Sequence, residues 1–282
     1  MSLRKRLLRL VVIAFLTPVI YLLGCQSKLI YHPNTYRLEH EQLLRHAKGE
    51  RLAYATSQGR QTAFYIPPRA ATSGLPPVVW LCFGGNGSLA LDWLYFTDEW
   101  DGRFAYLLVD YPSYGECEGA PTPGRIRQSG KAAVEALARH LGTTPQDLQP
   151  RLALLGHSLG SAAALMAAED LEMRRGVLIS PFTTMTEMGR VVLGWPLCHL
   201  NRHLFDNRQT LAKATQAPGA RFVIFHGTED EVIPVRMGRE LAEAHPQAVA
   251  FHPVEGAHHN DILSLAGDKI GTAMREVAPT AP

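Results

Sequence analysis

A chain of 282 residues, 46% hydrophobic and 19% charged, is long and apolar enough to bury the core of one large domain, which excludes a disordered or low-complexity protein. Its formal charge of +2, with basic residues scattered after the first ten positions, gives no support to nucleic-acid binding, and no nucleic-acid partner is expected. The four cysteines (Cys25, Cys82, Cys117, Cys198) have no Cys-x-x-Cys spacing, so zinc and redox motifs are unsupported, while a Cys117–Cys198 disulfide stays open for an exported chain.

Arg4, Lys5, Arg6 and Arg9 form a positive start, and Leu10–Gly24 follows as fifteen residues without a charge. As a helix that run spans about 22 Å against roughly 30 Å of hydrocarbon, and Pro18 weakens it as an uninterrupted span. Residues 1–25 are therefore expected to be a processing or anchoring segment, with the folded domain over 26–282. Leu22-Leu23-Gly24-Cys25 resembles a bacterial lipoprotein signal, which implies lipidation at Cys25 and, from Gln26, outer-membrane sorting. A retained signal anchor is the alternative. Both imply attachment to a membrane of the bacterial cell envelope, with the folded domain outside the cytoplasm.

After a mixed helical patch at Leu38–Leu44, a strand is expected over Gln61–Ile66. Val78–Phe83 is a continuous apolar run of the kind buried on both faces of a sheet, with Cys82 inside it, and it ends in Gly84-Gly85-Asn86-Gly87. A helical stretch begins at Ser88, and a second buried strand, Phe104–Asp110, leads into Tyr111-Pro112-Ser113-Tyr114-Gly115. Arg125–Leu141 has Ile126, Ala133, Val134, Leu137 and Leu141 on one helical face. Leu152–His157 then meets Gly156-His157-Ser158-Leu159-Gly160 and passes into an alanine-rich helix reaching about Asp170. A strand at Gly176–Ser180 precedes a stretch from Thr186 to Leu211 that reads as a lid-like insertion over the sheet edge. Strand Arg221–Phe225, helix Pro234–Ala244, strand Ala248–Val254 and a closing helix complete the chain. This alternation predicts an α/β fold with a mostly parallel central sheet and helices on both faces, its site at the C-terminal ends of the strands.

Gly-x-Ser-x-Gly between strand and helix is the pattern of a nucleophile elbow, a turn sharp enough to need small residues on both sides of the serine. A serine hydroxyl needs a base, and the base needs an acid to fix its tautomer. Ser158, Asp230 and His259 occur in the order nucleophile, acid, base, each after an expected strand. Glu229 and Glu231 compete for the acid position and His258 for the base. His157 reads as a filler beside the serine and His226 as an organiser of the acid loop. His199 and His203, four apart, suit a polar helix face better than a metal site, and no metal or organic cofactor is implied. Two backbone N–H groups are expected to hold the oxyanion, that of Leu159 and one from the loop after Val78–Phe83, at Asn86.

Together Phe83–Gly87, Asp110–Gly115, Gly156–Gly160, Ser180-Pro181-Phe182, His226–Asp230 and Gly256–Asp261 resemble the α/β-hydrolase superfamily. Within it they look like the membrane-anchored α/β-hydrolase domain-containing group, which includes protein depalmitoylases and bacterial relatives. Two departures stand out: Gly84-Gly85-Asn86 where that group has His-Gly-Asn, and Pro112 where arginine is common. The resemblance implies a serine hydrolase acting on a small-molecule or lipid-like acyl ester or thioester through an acyl-serine. It supports Asp230 as acid and His259 as base. The alternatives are a peptidase of the prolyl oligopeptidase type, for whose extra domain the chain has no room, and a non-catalytic envelope lipoprotein. Lys28-Leu29-Ile30-Tyr31-His32-Pro33 looks like that group's entry into the domain and puts the expected site close to the bilayer.

Overall fold

The computed structural model describes residues 3–70 and 74–279. Its strands are β1 (Glu50–Thr56), β2 (Gly59–Ile66), β3 (Val78–Phe83), β4 (Phe104–Val109), β5 (Leu152–His157), β6 (Arg175–Ile179), β7 (Arg221–Gly227) and β8 (Val249–Val254). They form one eight-stranded sheet in the order β1-β2-β4-β3-β5-β6-β7-β8. The β1–β2 and β2–β4 pairings are antiparallel, and β4 through β8 pair parallel. The helices are α1 (Leu3–Ile30), α2 (Leu38–His46), α3 (Leu94–Thr97), α4 (Pro123–His140), α5 (Pro145–Leu148), α6 (Leu159–Asp170), α7 (Met185–Leu193), α8 (Asn207–Thr215), α9 (Val235–Glu243) and α10 (Ile262–Val277).

Every residue of β3, β4 and β5 is buried, as their unbroken apolar runs require for strands covered on both faces. Successive side chains alternate faces. Val79, Leu81 and Phe83 pack in one cluster with α4, α6, α8 and α9, whereas Val78, Trp80 and Cys82 pack in the other with α2 and α10. The expected apolar face of α4 is buried at Ile126, Ala133, Val134 and Leu137, and Thr122 caps the helix by accepting from the Arg125 N–H. The α/β architecture anticipated from the alternation is borne out.

Four features differ from expectation. The strand β1, absent from the reading above, forms a hairpin with β2 and buries Leu52 and Tyr54 on one face. The helix α1 does not stop at Cys25 but continues to Ile30, since nothing in Gln26–Ile30 breaks a helix. Among the described residues no single helix is long and apolar enough to cross a membrane, although Val12–Tyr21 and Leu23–Ile30, bent by 43° to each other, meet that length and composition as a pair. The stretch 186–211 is an insertion only in its first part: α7 is followed by a 3₁₀ turn at Leu197–Leu200, whereas Leu211 of α8 lies in the core. All four cysteines are free, and Cys117 Sγ instead accepts from the Thr62 N–H at 3.3 Å.

Candidate active site

The β5–α6 turn is shaped around Ser158. Its φ of 56° with ψ of −120° lies where a side chain is strained, and the surrounding packing holds it there. A Cβ on Gly156 would lie 2.4 Å from Gly160 O, and one on Gly160 would lie 2.0 Å from Phe83 O. The start of α6 can therefore press against the end of β3 only because both positions lack side chains. The Ser158 N–H donates to Ile179 O at 2.8 Å, which ties the turn to β6. Ser158 occupies the N-cap position of α6, where the aligned peptide dipoles favour negative charge.

Ser158 Oγ lies 3.0 Å from His259 Nε2, and His259 Nδ1 lies 2.8 Å from Asp230 Oδ2. With Nδ1–H donating to the carboxylate, Nε2 is left free to accept from the serine hydroxyl. The Asp230 side chain is fully buried, and its second oxygen accepts from the Val232 and Ile233 N–H groups at 3.0 and 2.7 Å. Burial opposes its charge, but hydrogen bonds from His226, His259 and the Ile233 N–H outweigh it and hold the carboxyl well below the usual carboxylate range. His226 spans the acid loop, donating to Ile233 O at 2.8 Å and lying 3.4 Å from Asp230. His157 donates to the His259 carbonyl at 3.1 Å, and the two rings lie 5.0 Å apart. Burial, and then the neighbouring His259, lower the His157 pKa to about 4, so this ring is neutral.

Of the competing residues, His258 is exposed and lies between Glu231 at 3.2 Å and Glu229 at 3.6 Å, away from Ser158. Glu231 accepts the His259 N–H at 3.3 Å and so braces the loop from outside the chain of three. The structure thus brings Ser158, His259 and Asp230 together and leaves His258, Glu229 and Glu231 on the rim.

Asn86 and Leu159 line, with Ser158, a cavity of about 350 Å³ whose other walls are mostly apolar: Phe182, Met185, Met188 and Val192 on one side, Leu29 and Ile30 of α1 on the other. The loop carrying Asn86 is held by two segments. Tyr111 OH donates to Gly84 O at 2.5 Å, and Tyr114 OH donates to Asn86 O. From the segment after α1, the His32 N–H donates to Asn86 O at 3.0 Å and the Asn34 side chain donates to Gly87 O at 2.6 Å. Asn86 Nδ2 donates in return to Ile30 O at 3.1 Å.

The last turns of α1, with Tyr31 after them, grip the insertion. Gln26 donates to Leu200 O at 2.6 Å and accepts from the Arg202 N–H at 2.7 Å. His203 is buried between Ser27 Oγ at 3.2 Å and Tyr31 OH at 3.1 Å, so it shares no exposed helix face with His199, contrary to expectation, because the 3₁₀ turn ends at Leu200. Among the described residues no cluster of three His, Cys, Asp or Glu could hold a metal ion. Cys25 is half-buried on α1, directly before Gln26. The bonds made by Tyr111, Tyr114, His32 and His203 have no signature in the sequence beyond the Asp110–Gly115 and Lys28–Pro33 motifs that carry the first three.

A family model described as alpha/beta hydrolase family matches residues 74–257. The uncharacterized protein Rv2307c of Mycobacterium tuberculosis is 29% identical over 259 residues, which cover 91% of this chain and 88% of that protein. Human alpha/beta hydrolase domain-containing protein 17C is 32% identical over 153 residues, covering 54% of this chain and only 43% of that protein. Among solved structures, Pyrococcus furiosus esterase PF2001 superposes with a TM-score of 0.63 at 14% identity, over 88% of this chain and 98% of that one, a likeness of fold. With a matching family model over more than half its length, the chain belongs to the alpha/beta hydrolase family.

Proposed function

We propose that the chain is a serine hydrolase that cleaves carboxylic esters or thioesters through an acyl-Ser158 intermediate, tied by residues 1–25 to a membrane of the bacterial envelope. The observation that carries the reading is the unbroken chain from Ser158 through His259 to the buried Asp230, opening on an apolar cavity. In this reading Ser158 Oγ attacks the acyl carbon while its proton passes to His259 Nε2. The oxyanion is held by the N–H groups of Leu159 and Asn86, and donors of this kind contribute about 10²–10³ each in rate. Collapse breaks the C–O or C–S bond, and His259 returns the proton to the departing alcohol or thiol. Water, deprotonated by His259, then hydrolyses the acyl-serine, releases the acid and restores Ser158. Asp230 stays ionised throughout and stabilises the imidazolium. The apolar walls suit an acyl chain, and no metal or organic cofactor takes part.

The tether reading is supported by the basic start and uncharged run of α1, whose last turns wall the cavity. Either lipidation of Cys25 or a retained anchor would serve it. The test is labelling by a fluorophosphonate and turnover of p-nitrophenyl esters from acetate to palmitate, with Ser158→Ala alongside. Both signals are expected and both vanish in the variant. A folded wild-type protein that neither labels nor turns over refutes the catalytic reading and leaves a non-catalytic envelope protein.

A further inference from the structure

The mouth of the cavity carries an apolar edge that the chemistry above does not use. Val191, Val192 (72% exposed), Leu193 and Trp195 (76% exposed) follow one another at the end of α7 and in the turn after it. Large apolar side chains gathered on a surface mark an interaction site. Val192 and Leu193 also line the cavity, as do two further exposed residues, Leu29 of α1 and Val232 of the acid loop. The apolar edge therefore adjoins the cavity mouth, which the end of α1 and the acid loop also line. Trp195 is the one exposed tryptophan, the other three (Trp80, Trp93 and Trp100) being buried in the core.

Charge separates the occupants such an edge could take. Lys28, Arg190 and Arg202 are exposed on the same segments and form no salt bridge among the described residues. Arg208 and Arg236, by contrast, are already paired with Glu187, and Arg208 with Glu240. The one acidic side chain of α7 is thus committed, so the edge offers cations beside Val191–Trp195, while the exposed Glu229 and Glu231 stand at its other end, next to Val232, against His258. An anionic lipid surface complements the cations beside Val191–Trp195. An apolar strip flanked by Lys and Arg, with a tryptophan at its end, has the composition that seats at headgroup level.

We propose that Val191–Trp195 docks in the headgroup region of an anionic phospholipid bilayer, with the cavity mouth turned to the lipid so that an acyl chain enters toward Ser158 from the membrane side. This rests on the membrane-tether part of the reading above and not on the chemistry at Ser158. In the test the full chain is reconstituted into phosphatidylcholine–phosphatidylglycerol vesicles, with and without brominated phosphatidylcholine. Flotation reads the tether, and the red-edge tryptophan emission, which comes from exposed Trp195, reads the edge. The expected result is quenching of that emission by brominated lipid, protection from aqueous acrylamide, and loss of the quenchable component in Trp195→Phe. Protein that floats with the vesicles while Trp195 stays open to acrylamide and untouched by brominated lipid overturns the docking edge alone. Protein that does not float overturns the tether and the edge together, whatever the ester assay reads.

Discussion

Replacing Tyr114 by Phe tests whether the Asn86 loop is held for catalysis or merely folded. Tyr114 is fully buried, and its hydroxyl donates to Asn86 O while accepting the His32 N–H at 3.0 Å. The ring also packs edge-on against Tyr111 at 5.3 Å, a contact that phenylalanine keeps. Loss of the hydroxyl orphans no partner, because the His32 N–H and Asn86 O remain bonded to each other at 3.0 Å. The stability loss should therefore be that of one net hydrogen bond, about 1 kcal/mol, and not the larger penalty of a stranded buried group. Expressed fully in the transition state, about 1 kcal/mol is a roughly fivefold fall in kcat. KM should hold, because the bond orients a donor for the oxyanion and touches no ground-state carbonyl. The assay is kcat and KM on p-nitrophenyl butyrate with urea midpoints alongside. Tyr106→Phe is the control, since it removes a hydroxyl that is buried without a partner. A Tyr114→Phe enzyme with the expected loss of stability but unchanged kcat would refute the claim that this hydroxyl orients the donor.

Asp230→Asn should keep the fold while kcat falls by about 10⁴, because an amide at that position favours the wrong imidazole tautomer; steady-state turnover checks it. Gly160→Ala should destabilise the fold by about 3 kcal/mol or more, read as a lowered denaturant midpoint, since its Cβ would stand 2.0 Å from the Phe83 carbonyl, which is backbone and cannot swing aside. Asp110, bonded to Tyr36 and the Ala90 N–H, has its pKa raised by burial to about 7, so its contribution to stability is full below the ordinary carboxylate range and is lost as pH rises through about 7. His157 acts with the opposite sign: its pKa is lowered to about 4, so stability falls as pH drops from its ordinary value through that point. The two slopes oppose each other where the windows overlap, between about pH 4 and 6.5, so Asp110→Asn should leave only that of His157 and turn a nearly level profile into a thermal midpoint that falls as pH drops, measured across about pH 4 to 8.

The central part of this structure was legible in the chain because its constraints are local. Buried parallel strands must be apolar on both faces, so β3, β4 and β5 announced themselves as unbroken runs. The elbow needs Gly156 and Gly160 for contacts within a few residues and with β3, and that leaves a fixed spacing. The strand β1 was harder to see, because its turn at Ser57–Gln58 lacks the Asn-Gly or Asp-Gly signal of a tight hairpin. The roles of Tyr114 and His203 are not legible in the sequence. Each works on a partner far along the chain, His32 and Tyr31 respectively, and nothing near a tyrosine or a histidine in sequence records a bond to a distant segment. The boundary at Cys25 rests on processing signals, which say nothing about whether a helix ends there, and the helix runs on to Ile30.

The loop Gly84–Gly87 shows what those distant residues accomplish. A glycine-rich loop has little rigidity of its own, yet a backbone donor aids an oxyanion only when it is fixed in advance. A peptide unit is planar and trans, so a bond to its carbonyl also fixes the N–H on its opposite side. Three successive units are pinned in this way: Gly84 O by Tyr111, Gly85 O by the Ser88 N–H at 3.2 Å, and Asn86 O by His32 and Tyr114. The middle unit carries the Asn86 N–H, which must point away from Ser88. Glycine at position 84, where the related group has histidine, is therefore no loss of order, because the order is imposed through the carbonyls. Part of it comes from His32, seven residues beyond Cys25, and the Asn86 side chain returns a bond to Ile30. A pull on the N-terminal segment reaches the proposed oxyanion donor through two hydrogen bonds. The proposed tether and the proposed oxyanion donor thus share one short piece of backbone.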